Sequence, residues 1–176
     1  VDYIDLLYFH TVEFITPIEE QMAAIEDLVR RDLVRYFGVG NLSVDQLCRY
    51  QQEEKTSSIR TRVVAVQNHH DIINDELANA QGVLEHCAKT GVSFVSWSPL
   101  SRGLLTERYL DRAKVSAGDR LYDEGVLDEY TTGEVMSRLH ALANLAHGWD
   151  MELNQLALAY MLTIPGMGPV ITGTST

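Results

Sequence analysis

The stretch Asp2-Tyr-Ile-Asp-Leu-Leu-Tyr-Phe-His10 decides the reading of this chain. It is short, apolar and rich in strand formers, and it closes on an imidazole. A buried strand with one polar side chain at its C-terminal end is how parallel α/β folds present chemical groups. Three later segments repeat the arrangement: Tyr36-Phe-Gly-Val-Gly-Asn41, Val63-Val-Ala-Val-Gln-Asn68 and Val92-Ser-Phe-Val-Ser-Trp-Ser98. Each is an apolar run followed by a polar or aromatic group able to hold a ligand.

Between these runs the pattern turns helical. Thr16-Pro17-Ile-Glu-Glu20 predicts a helix start: Thr16 caps, Pro17 suits the first turn, and the acids favour the positive end of the helix dipole. Met22, Ile25, Leu28 and Val29 follow at helical spacing. Ser43 predicts the cap of a helix over 44–54 with Leu47 and Tyr50 inward, and residues 55–62 form a polar link. Asn74 predicts the cap of a helix that Gly91 ends. Residues 98–130 carry glycines, arginines and acids and are too long for a passive connection. Helices resume over 133–148 and 152–163. Pro165-Gly-Met-Gly-Pro169 reads as a turn and Val170-Ile-Thr172 as a last strand. The alternation predicts an α/β fold of about five parallel strands with outer crossover helices. The expected strands lie near 2–9, 34–39, 63–67, 92–97 and 169–172.

The 176 residues suffice for one domain with a sizeable core. With 45% hydrophobic and 22% charged residues the chain reads as soluble and globular. A net charge of −11 argues against a nucleic-acid or anionic-membrane surface, yet leaves room for a local basic pocket. No apolar run reaches the ~18 residues of a membrane span, and no signal peptide is read. Cys48 and Cys87 lack zinc spacing and fit a reduced, cytosolic compartment, although two cysteines can pair. The N-terminus enters a core strand without a leader, and Gly173-Thr-Ser-Thr176 resembles the start of a loop. Both ends read as cuts through a larger domain.

A histidine in the place of His10 either polarises a carbonyl or is structural and satisfied by a neighbour. Asn41 and Gln67 either hold another carboxamide by paired donor and acceptor bonds or satisfy their own loops. Trp97 offers an indole face to a flat ring, or fills a core. In the following Ser-Pro-Leu-Ser-Arg-Gly, the amides and Arg102 are able to meet a pyrophosphate. His69-His70-Asp71 and His86-Cys87 are adjacent pairs that do not converge on a metal, so none is expected. The acids at 123, 124, 128 and 129 read as a solvated run.

Taken in order, these strings resemble the aldo-keto reductase family. The matching pieces are Asp2-Tyr-Ile-Asp-Leu6 with His10, Thr16-Pro-Ile-Glu-Glu20, Val34-Arg-Tyr-Phe-Gly-Val-Gly-Asn41, Val66-Gln-Asn68, Trp97-Ser-Pro-Leu100 with Gly103-Leu-Leu105, Gln155-Leu-Ala-Leu-Ala159 and Val170-Ile-Thr-Gly173. The resemblance implies a (β/α)8 barrel that uses NADPH to reduce aldehydes and ketones. Residues 1–176 would be a single domain, the C-terminal part of that barrel from its fourth to its eighth strand. A complete barrel needs about 250 residues. The family's catalytic tyrosine, lysine and aspartate belong to segments before this one, and only the histidine, His10, is carried here.

By the same resemblance, Asn41 and Gln67 bind the nicotinamide amide and Trp97 stacks on its ring. Ser98, Leu100 and Arg102 wrap the pyrophosphate, Arg108 and Arg120 reach the far phosphates, and Gly173 and Ser175 begin the adenosine-phosphate loop. Gly40 departs from the serine often found before the asparagine, which removes one hydroxyl contact. NADP over NAD is a family-level expectation. The implied partners are a small carbonyl substrate and the missing N-terminal half of the barrel, or a second copy of the chain. Two other readings compete with a reductase segment: a non-catalytic NADP-binding subunit similar to channel-associated members, and an inactive half-barrel.

Overall fold

The structure, a computed structural model, describes residues 2–11, 13, 15–56 and 61–173. Five strands, β1 (Ile4–Phe9), β2 (Val34–Gly40), β3 (Val63–His69), β4 (Ser93–Trp97) and β5 (Met167–Ile171), form one parallel sheet in chain order. Leu7 lies opposite Phe37, Tyr8 opposite Gly38, and Gly40 opposite Gln67. Helices α1 (Ile18–Arg30), α2 (Val44–Thr56) and α3 (Val83–Thr90) connect the first four strands. Helices α4 (Arg120–Asp123), α5 (Leu127–Tyr130), α6 (Gly133–Gly148) and α7 (Leu153–Thr163) follow β4 in the chain. The chain divides into two compact units. One comprises Val1–His69, Glu76–Ser96 and Pro165–Pro169; the other comprises His70–Asp75, Trp97–Ile164 and Val170–Thr176.

In the first unit the period-two alternation of β2 sends Phe37 and Val39 to one face, where both are fully buried. The Phe37 ring meets Phe9 edge-on at 4.8 Å and Tyr50 of α2 at 6.3 Å. Met22 and Ile25 of α1, Leu47 of α2 and Val83 and Cys87 of α3 complete this core. The expected inward positions Leu47 and Tyr50 are therefore both buried. Tyr50 Oη donates to Gln21 Oε1 at 2.5 Å, and burial pushes its pKa up to about 12.

The other face is open. Tyr36 is 57% exposed, and Ile4 and Leu6 of β1 are 44% and 36% exposed. The expectation of a buried first strand is thus corrected. Leu6 lies opposite Tyr36, so the exposed side chains of β1 and β2 share one patch of this sheet face. Tyr8 lies over Gly38, where an added Cβ would sit 2.4 Å from its ring. Its hydroxyl is buried with no hydrogen-bond partner among the described residues, and burial raises its pKa.

Two expected caps are replaced. Thr16 does not cap α1: Pro17 holds that position without a side-chain bond, and the Thr16 carbonyl accepts from Gln21 Nε2 at 2.9 Å. Asn74 does not start a helix, because the Asp71 carboxylate takes up the amides of Ile73 and Asn74 in a turn. Helix α3 begins later, and Glu76 caps it by accepting from Gly82 N at 2.7 Å and Leu84 N at 2.8 Å. Ser43 does cap α2: its Oγ accepts from Gln46 N, and Gln46 Oε1 accepts from Ser43 N. Gly91 ends α3 in the left-handed conformation at φ 77°.

In the second unit the irregular stretch supplies its own core. Leu104, Leu105, Tyr109 and Leu121 are buried with Leu139 and Ala143 of α6 and Leu153 and Ala157 of α7. Tyr109 Oη accepts from Leu121 N at 3.1 Å, which ties two short turns together. No helix among the described residues is long and apolar enough to cross a membrane.

Cys48 is an exposed free thiol and Cys87 a buried one. Burial, with a contribution from the Glu76 carboxylate, pushes Cys87 up to about 12. A maleimide at pH 8 is expected to modify the native chain once, at Cys48, and a second time only after denaturation. Mass spectrometry of the labelled peptides checks this; rapid labelling of Cys87 in the native chain would contradict the packing of α3.

Candidate functional site

The first unit gathers three strand ends. Asn41 follows β2 in the left-handed region at φ 58°, a conformation asparagine tolerates better than most residues. Its N–H donates to the Gln67 carbonyl at 3.0 Å and its Nδ2 donates to the His10 carbonyl at 2.7 Å. One residue thus ties the ends of β1, β2 and β3. His10 is exposed, and Asn41 and Gln67 are half-buried, so all three remain accessible.

Gly40 makes this closure geometrically feasible. A Cβ there would lie 2.6 Å from the His10 carbonyl oxygen and 3.3 Å from that of Gln67. The glycine therefore does more than omit a hydroxyl: it lets the β1 and β3 backbones approach the residue that binds them. Asn68, one position beyond Gln67, is a residue whose role its spacing did not reveal. It is fully buried, donates from Nδ2 to the Leu42 carbonyl at 2.7 Å, and accepts from Leu42 N at 3.1 Å. It fixes the loop that carries Asn41.

Trp97 is the last residue of β4 and belongs to the second unit. There, Ser98, Leu100, Arg102, Arg108, Arg120 and Gly173 line one cavity of about 690 Å3. Six expected cofactor positions separated by up to 75 residues in sequence are thereby brought together. Ser175 lies outside the described residues.

The turn after β4 is strained. Ser98, Ser101 and Arg102 all have left-handed φ, at 56°, 47° and 58°. Such conformations cost on the order of 1 kcal/mol each and concentrate at ligand sites. Three amides of this turn are used within it. Ser101 N donates to the Ser98 carbonyl, Arg102 N to Ser98 Oγ, and Gly103 N to the Leu100 carbonyl. Those three donors are taken up inside the turn, and the Arg102 side chain lines the cavity with Ser98 and Leu100.

The acids at 123, 124, 128 and 129 are exposed, as a solvated run would be, and two of them also meet arginines. Glu124 accepts from Arg102 Nη1 at 2.5 Å and from Arg120 Nε at 2.7 Å. Asp119 accepts from Arg108 Nη1 at 3.0 Å, and Asp128 pairs with Arg112. Each cavity arginine is paired with a carboxylate, of Asp119 or Glu124, that is not among the residues lining the cavity. The i,i+4 spacing of Arg120 and Glu124 is the one signal in the sequence that anticipates this. His70 Nε2 lies 2.8 Å from Asp75 Oδ1, and among the described residues no three His, Cys, Asp or Glu side chains are grouped to hold a metal ion.

The model of the family described as Aldo/keto reductase matches residues 1–176. An aldo-keto reductase of Metarhizium robertsii, dtxS3, is 32% identical over 94% of this chain and 45% of its own length. The versiconal hemiacetal acetate reductase of Aspergillus parasiticus is 26% identical over 96% of this chain and 48% of its own. Among solved structures, the thermostable aldo-keto reductase Tm1743 in complex with the inhibitor epalrestat matches with a TM-score of 0.66 at 27% identity. That match covers 97% of this chain and 49% of the other. The chain spans about half the length of the relatives it matches.

Gly40→Ser is expected to destabilise the chain by about 1–3 kcal/mol, the usual cost of inserting atoms where backbone leaves no room. Denaturant unfolding measures it. An unchanged midpoint would show that the His10 and Gln67 carbonyls do not close on residue 40.

Proposed function

The chain belongs to the aldo/keto reductase family over residues 1–176, and on that premise we propose that it supplies the cofactor-binding half of an NADP(H)-dependent carbonyl reductase. The observation that carries this reading is the set of three arginines lining one cavity, beside Glu107 and Glu152, which are engaged at the start of α7, in a chain of net charge −11. An acidic chain that concentrates guanidinium groups on one concave wall is suited to an anionic ligand.

The cavity, at about 690 Å3, has the volume for part of a dinucleotide. The donor chemistry fits as well: guanidinium groups and the Ser98 hydroxyl for phosphates, and carboxamides for a carboxamide. When bound, a nicotinamide cofactor supplies the hydride that reduces an aldehyde or ketone. Asn41 and Gln67 orient its amide, and Trp97 stacks on its ring. Arg102, Arg108 and Arg120 offset phosphate charge, with Ser98, Leu100 and Gly173 beside them, and Ser175 is assigned to the adenosine phosphate by the resemblance alone. His10 hydrogen-bonds the carbonyl oxygen and holds it in place as negative charge develops there. The Asn41 bond to the His10 carbonyl links the cofactor amide and the substrate carbonyl mechanically. The two free thiols are consistent with a reducing, cytosolic location for the protein.

The test is NADPH titration followed by fluorescence. Arg102→Ala is expected to weaken binding about tenfold or more, the loss of a charge-assisted bond. Trp97→Ala is expected to cost about 1–3 kcal/mol of stacking. Unchanged affinity in both variants would remove the cavity from the cofactor site. The 176-residue chain alone is expected to bind without reducing a reactive aromatic aldehyde, since the tyrosine, lysine and aspartate that the family resemblance implies for proton donation belong to other segments. Steady turnover abolished by His10→Ala would instead show a complete proton-donating site in this chain. In a complete barrel, NADPH binding without turnover of any aldehyde would favour a non-catalytic subunit.

A further inference from the structure

Resting on the assignment of Arg102 and Arg120 to a phosphate-bearing ligand, we infer that Glu124 is a positioning residue that clamps these two arginines to the cavity wall. Both arginines line the cavity, and Glu124 does not. Its two carboxylate oxygens are divided between them: Oε2 accepts from Arg102 Nη1 at 2.5 Å and Oε1 from Arg120 Nε at 2.7 Å. Each guanidinium therefore gives one nitrogen to the clamp and keeps the others for a ligand. Glu107 and Glu152 also line the cavity, but the carboxylate bonded to both Arg102 and Arg120 is that of Glu124, which does not line it and so aligns the donors without occupying the ligand's place.

The geometry around Glu124 is fixed from several sides. Its backbone N–H donates to the Arg120 carbonyl at 3.0 Å at the end of α4, so carboxylate and Arg120 sit one turn apart. The Arg102 guanidinium also lies 5.6 Å from the centre of the Tyr130 ring. Arg102 is itself held in the left-handed region, which fixes where its side chain leaves the backbone. Two guanidinium groups brought side by side repel each other, and the shared carboxylate offsets that repulsion. The Glu124 carboxyl is held below its usual range, first by the hydrogen bond from Arg120, so the clamp stays ionised at neutral pH. It is lost only as pH falls through that depressed value.

The experiment uses the 176-residue chain, with NADPH and inorganic pyrophosphate as probes in isothermal titration and melting temperature as the check on folding. Glu124→Ala is expected to weaken both probes about tenfold, since freely rotating arginines lose the prepaid ordering of their donors. Glu124→Gln keeps one acceptor and is expected to fall between the two. In the Arg102→Ala, Arg120→Ala background, Glu124→Ala is expected to change nothing further, because the carboxylate acts only through the arginines. A merely structural role would lower affinity equally in both backgrounds. Equal or tighter binding by Glu124→Ala, with weaker binding by Arg102→Ala and Arg120→Ala, overturns the clamp and leaves the phosphate assignment standing. Unchanged binding in all the arginine variants, or no binding by the unsubstituted chain, overturns both.

Discussion

Asn41 holds three parallel strands at one point. Its main chain bonds β3 and its side chain bonds the end of β1, while its own backbone turns out of β2 in a left-handed step. A parallel sheet gathers the C-terminal ends of its strands but does not by itself fix how the segments leave them. Here the exits are joined by a residue whose short amide reaches a neighbouring carbonyl, and Gly40 removes the one Cβ that would obstruct it. Everything placed at these exits, His10 and Gln67 included, depends on that junction.

The sheet is asymmetric in its surroundings. Phe37 and Val39 are sealed under helices, whereas Tyr36, Ile4 and Leu6 stand open. Around β1 and the middle of β2 the packing is therefore one-sided, whereas Ala65 and Val66 of β3 and Phe94 and Val95 of β4 are buried on both faces. Glycines at 38 and 40 belong to the other face, and both are places where a neighbour comes closer than a side chain would allow. The covered face supplies stability through packing. The open face supplies close approach, which positions groups and does not stabilise in proportion to area.

The segment after β4 follows a different economy of charge. Its leucines and Tyr109 form a core with α6 and α7, which fixes the backbone. Its arginines are then held by carboxylates from the short turn around α4. Exposed ion pairs of this kind contribute little stability. Their consequence is orientation: three flexible cationic side chains are aimed at one cavity in a chain whose net charge is strongly negative.

The alternation of apolar runs and amphipathic stretches was sufficient, from sequence alone, to establish the parallel α/β class, the strand positions and the residues at each strand end. Those properties follow from local periodicity, which is written in consecutive residues. The family was also readable, because its strings occur in order along nearly the whole chain. What the sequence left open depended on partners far away in the chain. The exposure of Ile4 and Leu6 depends on what covers that face of β1, so its apolar residues alone suggested burial. Thr16 and Asn74 have the chemistry of caps, but Pro17 stands at the start of α1 without a side-chain bond, Asp71 holds the amides of Ile73 and Asn74 in a turn, and Glu76 caps α3. The acids at 123, 124, 128 and 129 are exposed, as their row of charges suggested, but that row does not show that Arg102 returns from 22 residues away to meet Glu124. Only the tertiary structure brings such groups within hydrogen-bond distance, and only there does a run of charges become an arrangement.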